Sequence, residues 1–381
     1  MKILIAGDYC PQERVAKLIE EGKGGAVMKE MEPYLNVADY AIVNFECAVA
    51  DSTVKPIVKF GPCLSCSAKG VGLLKFVGFD GVTLANNHFR DYGDVGVRNT
   101  LLALRENKID YVGGGENISE AEKVLYKVIE GKTIAIVNFC ENEFSIASKD
   151  KGGSAAMNAV VNYRQITEAK QKADVVIVIV HGGHEGYQYP SPRMKQLYQW
   201  YVDLGASVVV NGHQHCFSGY EVYKDAPIIY GLGNFCFDEE GSRDNEWNFG
   251  YFLDLTIDEK AIGFECVPYE QCNATPDVRL LEGEELEAFR RRLEEINAVI
   301  ANESLLEAQY DTFCESRRGQ LSCLAPYMNE HTRAAAGRGW IPYLLPKKKL
   351  LNILNFIECE SHRDLLTESI VKKIYHDEEN R

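Results

Sequence analysis

Five short apolar runs in this chain each end on side chains able to ligate a metal ion. Asp8 follows Ile3–Ala6, and Asn44 and Glu46 follow Ala41–Val43. Asn87 and His88 follow Val82–Ala85, His181 follows Val175–Val180, and His213 and His215 follow Val208–Val210. Each run reads as a buried strand with its polar group at or just past the C-terminal end. In open α/β sheets that edge is where ligands bind. A chain that sends carboxylates, amides and imidazoles to one sheet edge is built most simply around one or two bound cations.

Composition narrows the field. At 381 residues the chain is long enough for one large domain or two ordinary ones, and 46% apolar content is globular. The net charge of −15, with no basic stripe, excludes a nucleic-acid surface. The longest aliphatic run, Val175–Val180, is far short of the roughly 20 residues that span a bilayer, so no transmembrane segment is expected. Met1–Asp8 leads straight into a candidate site residue, which argues against a cleaved leader and for a cytoplasmic protein. The twelve cysteines then read as reduced, mostly buried thiols. Cys63-Leu64-Ser65-Cys66 is a lone CxxC, more in keeping with a surface loop than with a zinc or redox site.

Residues 1–275 alternate strand-like runs with amphipathic stretches, the pattern of a layered α/β domain. Strands are expected at Lys2–Ala6, Ala41–Asn44, Gly81–Ala85, Tyr111–Val112, Val124–Ile129, Thr133–Phe139, Asp174–Val180 and Ser207–Asn211. Helices are expected at Val95–Glu106, Tyr163–Lys172 and Pro192–Leu204. From Gly219 to Tyr269 four consecutive strands read as one antiparallel meander. The chain then turns helical and charged, with Leu286, Phe289, Leu293 and Ile296 at helical spacing, a break at Ala335–Gly339, and amphipathic segments at Lys349–Glu358 and Arg363–Tyr375. The division expected is a domain over 1–280 and a helical C-terminal appendage over 281–381.

The motifs carry distinct chemistry. Asp8 is a hard anionic ligand, or a helix N-cap. Asn44 and Glu46 share one side of an extended segment, with Phe45 on the other, and Glu46 is placed to bridge two cations. In Asn86-Asn87-His88, an amide carbonyl can ligate while the imidazole handles a proton, and Asp91 is placed to accept the His88 ring N–H. His181 opens the stretch His181-Gly182-Gly183-His184-Glu185, in which His184 and Glu185 are substrate-side candidates. His213 and His215, two apart in an extended segment, would face one side. Asn234, with Glu221 and Asp238 nearby, lines the cleft or forms a structural turn.

In their order these motifs resemble the CapA-type capsule (poly-γ-glutamate) biosynthesis family of the calcineurin-like metallophosphoesterase superfamily. Gly7-Asp8, Asn44-Phe45-Glu46, Ala85-Asn86-Asn87-His88 with Asp91 and Gly93, His181–Glu185, Gly212-His213-Gln214-His215 and Leu232–Phe235 carry the likeness, over roughly residues 1–270. The resemblance implies a four-layer α/β/β/α sandwich with a two-metal centre. Asp8, Glu46, Asn87, His181, His213 and His215 would hold the ions (Mn, Fe or Zn), and His88 would be the acidic histidine. Two positions depart from the superfamily. Cys10 stands where an imidazole is usual, so it is either a thiolate ligand or an inert buried thiol, and Glu46 stands where most members have Asp.

The leading functional expectation is a metal-dependent hydrolase acting on an anionic small molecule or polymer, with capsule-synthesis proteins as partners. Arg90 and Arg193 are the nearest cations in sequence. The alternatives are a non-catalytic scaffold subunit of a capsule-synthesis complex, with Pro346–Leu351 touching a membrane or partner, and a small-nucleotide phosphatase.

Overall fold

The structure, a computed structural model, describes residues 1–59, 61–259, 261–316 and 329–340. The chain groups into two compact units, Met1–Tyr310 and Asp311–Arg381. The first holds two large sheets. In one, the order is Val278–Leu280, Ile262–Gln271, Phe249–Ile257, Lys2–Cys10, Tyr40–Phe45, Gly81–Thr83 and Asp110–Val112. In the other it is Tyr220–Tyr223, Ala226–Ile229, Val208–Gly212, Val175–His181, Lys132–Cys140 and Leu125–Ile129.

Strand alternation builds the layers. Ile3, Ile5 and Ile42 lie in one core with Ile136, Ile177 and Val209 of the second sheet, while their neighbours Leu4, Ala6, Ala41 and Val43 lie in another. That second core is completed by the helices Glu13–Glu20, Ala68–Val77 and Gly93–Glu106, through residues such as Val15, Val71 and Leu101. Helices Ala159–Lys172 and Pro192–Asp203 join the first core through Ile166, Ala169, Met194 and Tyr198. The period of two along each central strand thus makes a four-layer α/β/β/α sandwich, as expected.

Local chemistry sets the helix starts. Ser191 accepts from Met194 N at 3.2 Å with Pro192 in the first turn. Asn158 accepts from Val160 N and Val161 N at 3.0 and 3.2 Å, so that helix begins at Ala159, ahead of the expected Tyr163. Asn158→Ala should cost about 1 kcal/mol, read as a lower urea midpoint at unchanged slope.

The expected single meander does not form. Tyr220–Tyr223 and Ala226–Ile229 make a hairpin in the second sheet, while Phe249–Ile257 and Ile262–Gln271 make one in the first. The chain crosses between sheets at Leu232, which donates to Asn211 O at 3.2 Å and accepts from Tyr251 N at 3.0 Å. Asn234–Phe237 then runs parallel to the far end of Lys2–Cys10, pairing Asn234 with Asp8.

The helix that opens segment 281–381, Gly283–Ile300, buries Phe289, Leu293, Ile296 and Ile300 in the core of the first unit, with Phe289 centred 4.2 Å from the Phe217 ring. Ala335–Gly339, read as a break, overlaps the end of a short helix Glu330–Gly337 started by Asn329, which accepts from Thr332 N at 3.0 Å. Pro346–Leu351, Lys349–Glu358 and Arg363–Tyr375 lie outside the described residues. No described helix is long and apolar enough to cross a membrane.

Candidate metal centre

Lys2–Cys10, Tyr40–Phe45 and Gly81–Thr83 are parallel in one sheet, and Lys132–Cys140, Val175–His181, Val208–Gly212 and Ala226–Ile229 are parallel in the other. Their C-terminal ends therefore open on one edge, and the candidate residues meet there. Two overlapping groups of ligand atoms form: Glu46 with His181 and His213, and Asp8 with Glu46 and His215. Glu46 Oε1 lies 3.3 Å from His181 Nε2 and 3.8 Å from His215 Nε2. Asn87 Oδ1 is 3.0 Å from His181 Nε2, and His213 Nδ1 is 3.1 Å from that same nitrogen.

The electrostatics are those of a buried cluster of carboxylates and imidazoles. Glu46 is fully buried, yet neither carboxylate oxygen has a hydrogen-bond partner. Burial and the neighbouring Asp8 push its pKa well above the usual carboxylate range. Burial also holds His181 below the ordinary imidazole value and His213 well below it. An orphaned carboxylate facing neutral imidazoles and a second carboxylate is a donor set that a divalent cation satisfies. The residues present therefore fit the group that the resemblance implies.

Amides hold these ligands in place. Asn44 accepts from Thr83 Oγ1 and Asn86 Nδ2 and donates to Asp8 Oδ1 at 2.8 Å. Asn86 also donates to Phe45 O at 2.8 Å and accepts from His88 N at 3.1 Å. Asn234 Oδ1 sits 2.9 Å from His215 Nδ1, which leaves Nε2 for the Glu46 side. His88 Nδ1 lies 2.7 Å from Asp91 Oδ2, the geometry expected for that pair, and burial keeps the ring's pKa low despite Asp91.

Several expectations change. His213 and His215 do not alternate along an extended strand. Both follow the end of Val208–Gly212 with left-handed φ values of 88° and 55°, and this strained backbone sends each ring to a different ligand group. Cys10 is in neither group. Its thiol is buried in the apolar layer, accepts from Gln12 Nε2 at 3.4 Å, and is pushed up in pKa by burial. The CxxC cysteines face different partners: Cys66 Sγ lies 3.5 Å from Cys47 Sγ, whereas Cys63 Sγ lies 3.6 Å from Ile57 O. His184 stacks on Tyr310 at 5.7 Å, outside both groups, while Glu185 lines the cleft. Glu221 is drawn off to Tyr230 and Gln199. Arg90 is tied to Asp94 and Gly152 O, and Arg193 to Glu141 at 2.5 Å, so neither is a cleft cation.

A cleft of about 650 Å³ opens beside His215, Asn87 and His88. Trp247 forms one wall, its ring 4.6 Å from that of His215, and Phe237 packs against it. Glu13, Glu143, Glu185, Asp238 and Glu239 make the mouth acidic, with Asp238 held by Arg14 and Arg243. Among the described residues, Lys59 is the one cation in its lining. Glu143 and Lys59 are among the cleft residues that the sequence reading missed. Glu143, 3.9 Å from His213 Nε2, follows the strand Lys132–Cys140 just as the other stations follow theirs, so its signal was present. Lys59 sits in a loop with no periodicity and carried none.

The fold and its polar edge define a four-layer α/β/β/α protein with a candidate metal site at one sheet edge. The chain belongs to the family described as bacterial capsule synthesis protein PGA_cap, whose model matches residues 2–239. It is 35% identical over 254 residues to the capsule biosynthesis protein CapA of Bacillus anthracis, covering 65% of this chain and 62% of that protein. It is 31% identical over 274 residues to the PGA biosynthesis protein CapA of Bacillus subtilis, covering 71% of each. The match thus spans less than two thirds of the Bacillus anthracis protein's length. Among solved structures, a phosphatase from Mycoplasma pneumoniae aligns with 72% of this chain and 95% of its own at 18% identity and a TM-score of 0.46.

Proposed function

We propose that this chain is a metal-dependent hydrolase serving capsule or poly-γ-glutamate biosynthesis, with a phosphoester or γ-glutamyl amide as the bond cleaved. The observation that carries the reading is Glu46, whose two buried, unpartnered oxygens stand between Asp8, His181, His213 and His215. Asp8, Glu46 and His215 would hold one divalent ion, and Glu46, His181, His213 and Asn87 a second; Mn, Fe and Zn suit this mixed oxygen–nitrogen set. Such ions supply Lewis-acid polarisation and charge neutralisation at the reacting group.

The chain's own residues do the remainder. With His88 Nδ1 engaged by Asp91, Nε2 is the ring nitrogen left to exchange a proton with the substrate. Asn44, Asn86 and Asn234 hold the ligands in place, so little reorganisation accompanies reaction. The acidic mouth repels an anion, so binding of an anionic substrate would rest on the ions.

The test is elemental analysis of the purified protein beside an Asp8→Asn, His213→Ala double variant. About two equivalents of metal in the parent, lost in the variant together with hydrolysis of phosphoester or γ-glutamyl substrates, is the expected result. A parent that takes up no metal after reconstitution overturns the reading and leaves a scaffold role in a capsule-synthesis complex.

A further inference from the structure

Lysine at position 59 is costly unless its charge is used. Its side chain is 3% exposed and sits in the loop that follows Ala50. An ammonium there is stripped of water and its long side chain is ordered, whereas a methionine would fill similar space without a charge to desolvate. The ammonium is ion-paired with Asp91 Oδ1, on a carboxylate that is itself fully buried. The other oxygen, Oδ2, serves His88 Nδ1 at 2.7 Å and accepts from Leu64 N at 2.7 Å. Each Asp91 oxygen thus has its own work, and Lys59 fixes which one faces the imidazole.

The same contacts fasten the loop. Ile57 N donates to Asp91 O at 2.8 Å, so Ile57, Lys59 and Leu64 all converge on one residue. Lys59 Nζ also lies 3.2 Å from His88 Nδ1, and Gly61, Pro62 and Leu64 form part of the cleft wall. We propose that Lys59 is a positioning residue: it locks the Asp91 carboxylate so that the His88 ring is held in one orientation, and it latches Ile57, Gly61, Pro62 and Leu64 at the wall of the substrate cleft. The inference rests on the reading of His88 and Asp91 as the working pair of the site.

The experiment compares the full-length parent with Lys59→Met, Lys59→Gln and Lys59→Arg by NMR, without added metal or substrate, after thermal unfolding has shown which variants are folded. In the parent the proton between His88 Nδ1 and Asp91 gives a sharp low-field signal, and the Ile57 and Leu64 amides are protected from exchange. In Lys59→Met and Lys59→Gln that signal broadens away and the two amides exchange at least about tenfold faster, because the latch opens locally. Lys59→Arg, which keeps a cation on Asp91, restores both. An unchanged ring signal and unchanged protection in a folded Met or Gln variant overturn the proposal. Because neither readout needs metal or turnover, this failure is distinct from failure of the hydrolase reading.

Discussion

Metal-free Glu46→Gln unfolds at a higher temperature than the parent at pH 8, and the order reverses when Mn²⁺ or Zn²⁺ is added. Glu46 is buried without a partner for either oxygen, and its folded-state pKa is raised well above the 4.5 of a free glutamate. Below pH 4.5 the side chain is protonated in both folded and unfolded chains, so parent and variant differ little. As pH rises, the unfolded chain releases the proton freely, while the folded chain must either retain it or bury a charge. The parent therefore loses stability through this interval until pH passes the folded-state pKa, and a neutral amide escapes the loss. The gap should reach about 1–3 kcal/mol, the cost of an unsatisfied buried polar group.

His215 sets where the gap is cleanest. Burial disfavours its cation, but Glu46 and Asp8 outweigh burial and leave its pKa above the ordinary value. A protonated His215 partly compensates Glu46, so the gap widens as pH rises and that ring loses its proton. Metal then acts in the opposite direction. A cation at 100 times its Kd stabilises the parent by about 2.7 kcal/mol, whereas the variant has lost the carboxylate shared by both ligand groups and gains little. Thermal unfolding at pH 5 and pH 8, with chelator and with each ion, reads all of this. A variant less stable than the metal-free parent at pH 8 would show that Glu46 is an ordinary structural carboxylate.

What the sequence disclosed about this edge depended on periodicity. The apolar runs before Asp8, Asn44, His181 and Gly212 mark parallel strands because both faces of those strands are buried, and their polar ends follow from that. A layered α/β domain was legible for the same reason, whereas the four layers were expected from the family resemblance. The fate of Gly219–Tyr269 was not, because alternation identifies a strand without saying which of two sheets it joins. Backbone hand was equally hidden. His213 and His215 take left-handed φ values that composition assigns to glycine or asparagine, so the reading of an extended pair failed although each ring reaches one of the two ligand groups. Lys59 shows the limit most plainly. Its role arises from a loop folding back on Asp91, a long-range contact with no local pattern, whereas Glu143 obeyed the pattern of strand followed by acid.

Gly7→Ala is expected to be the most damaging single-methyl change at the site. A Cβ on Gly7 would lie 1.9 Å from the carbonyl oxygen of Gly233 and 3.4 Å from Leu232 Cβ. That carbonyl cannot swing aside cheaply, since it accepts from Asp8 N at 3.3 Å, and Gly233 is itself wedged against Phe249 O, which a Cβ there would meet at 2.7 Å. The first strand shifts register between Ala6 and Asp8, just where Asn234–Phe237 comes alongside. The missing methyl thus lets a second strand approach closely enough to pair Asn234 with Asp8 and to aim Asn234 at His215. Forcing the strands apart should cost about 3 kcal/mol or more, a large share of the roughly 5–15 kcal/mol that holds a domain folded. In molecules that still fold, His215 loses its orienting amide and metal affinity falls with it. Gly72→Ala is the control: its Cβ meets nothing nearer than Asn107 Oδ1 at 3.7 Å, and it lies within the helix Ala68–Val77. It should stabilise by about 0.5–1 kcal/mol through helix propensity alone. Urea midpoints for the two variants, measured beside metal stoichiometry, decide the matter. A Gly7→Ala protein with the parent's midpoint and full metal content would mean that the close approach at Gly233 does not hold the centre together.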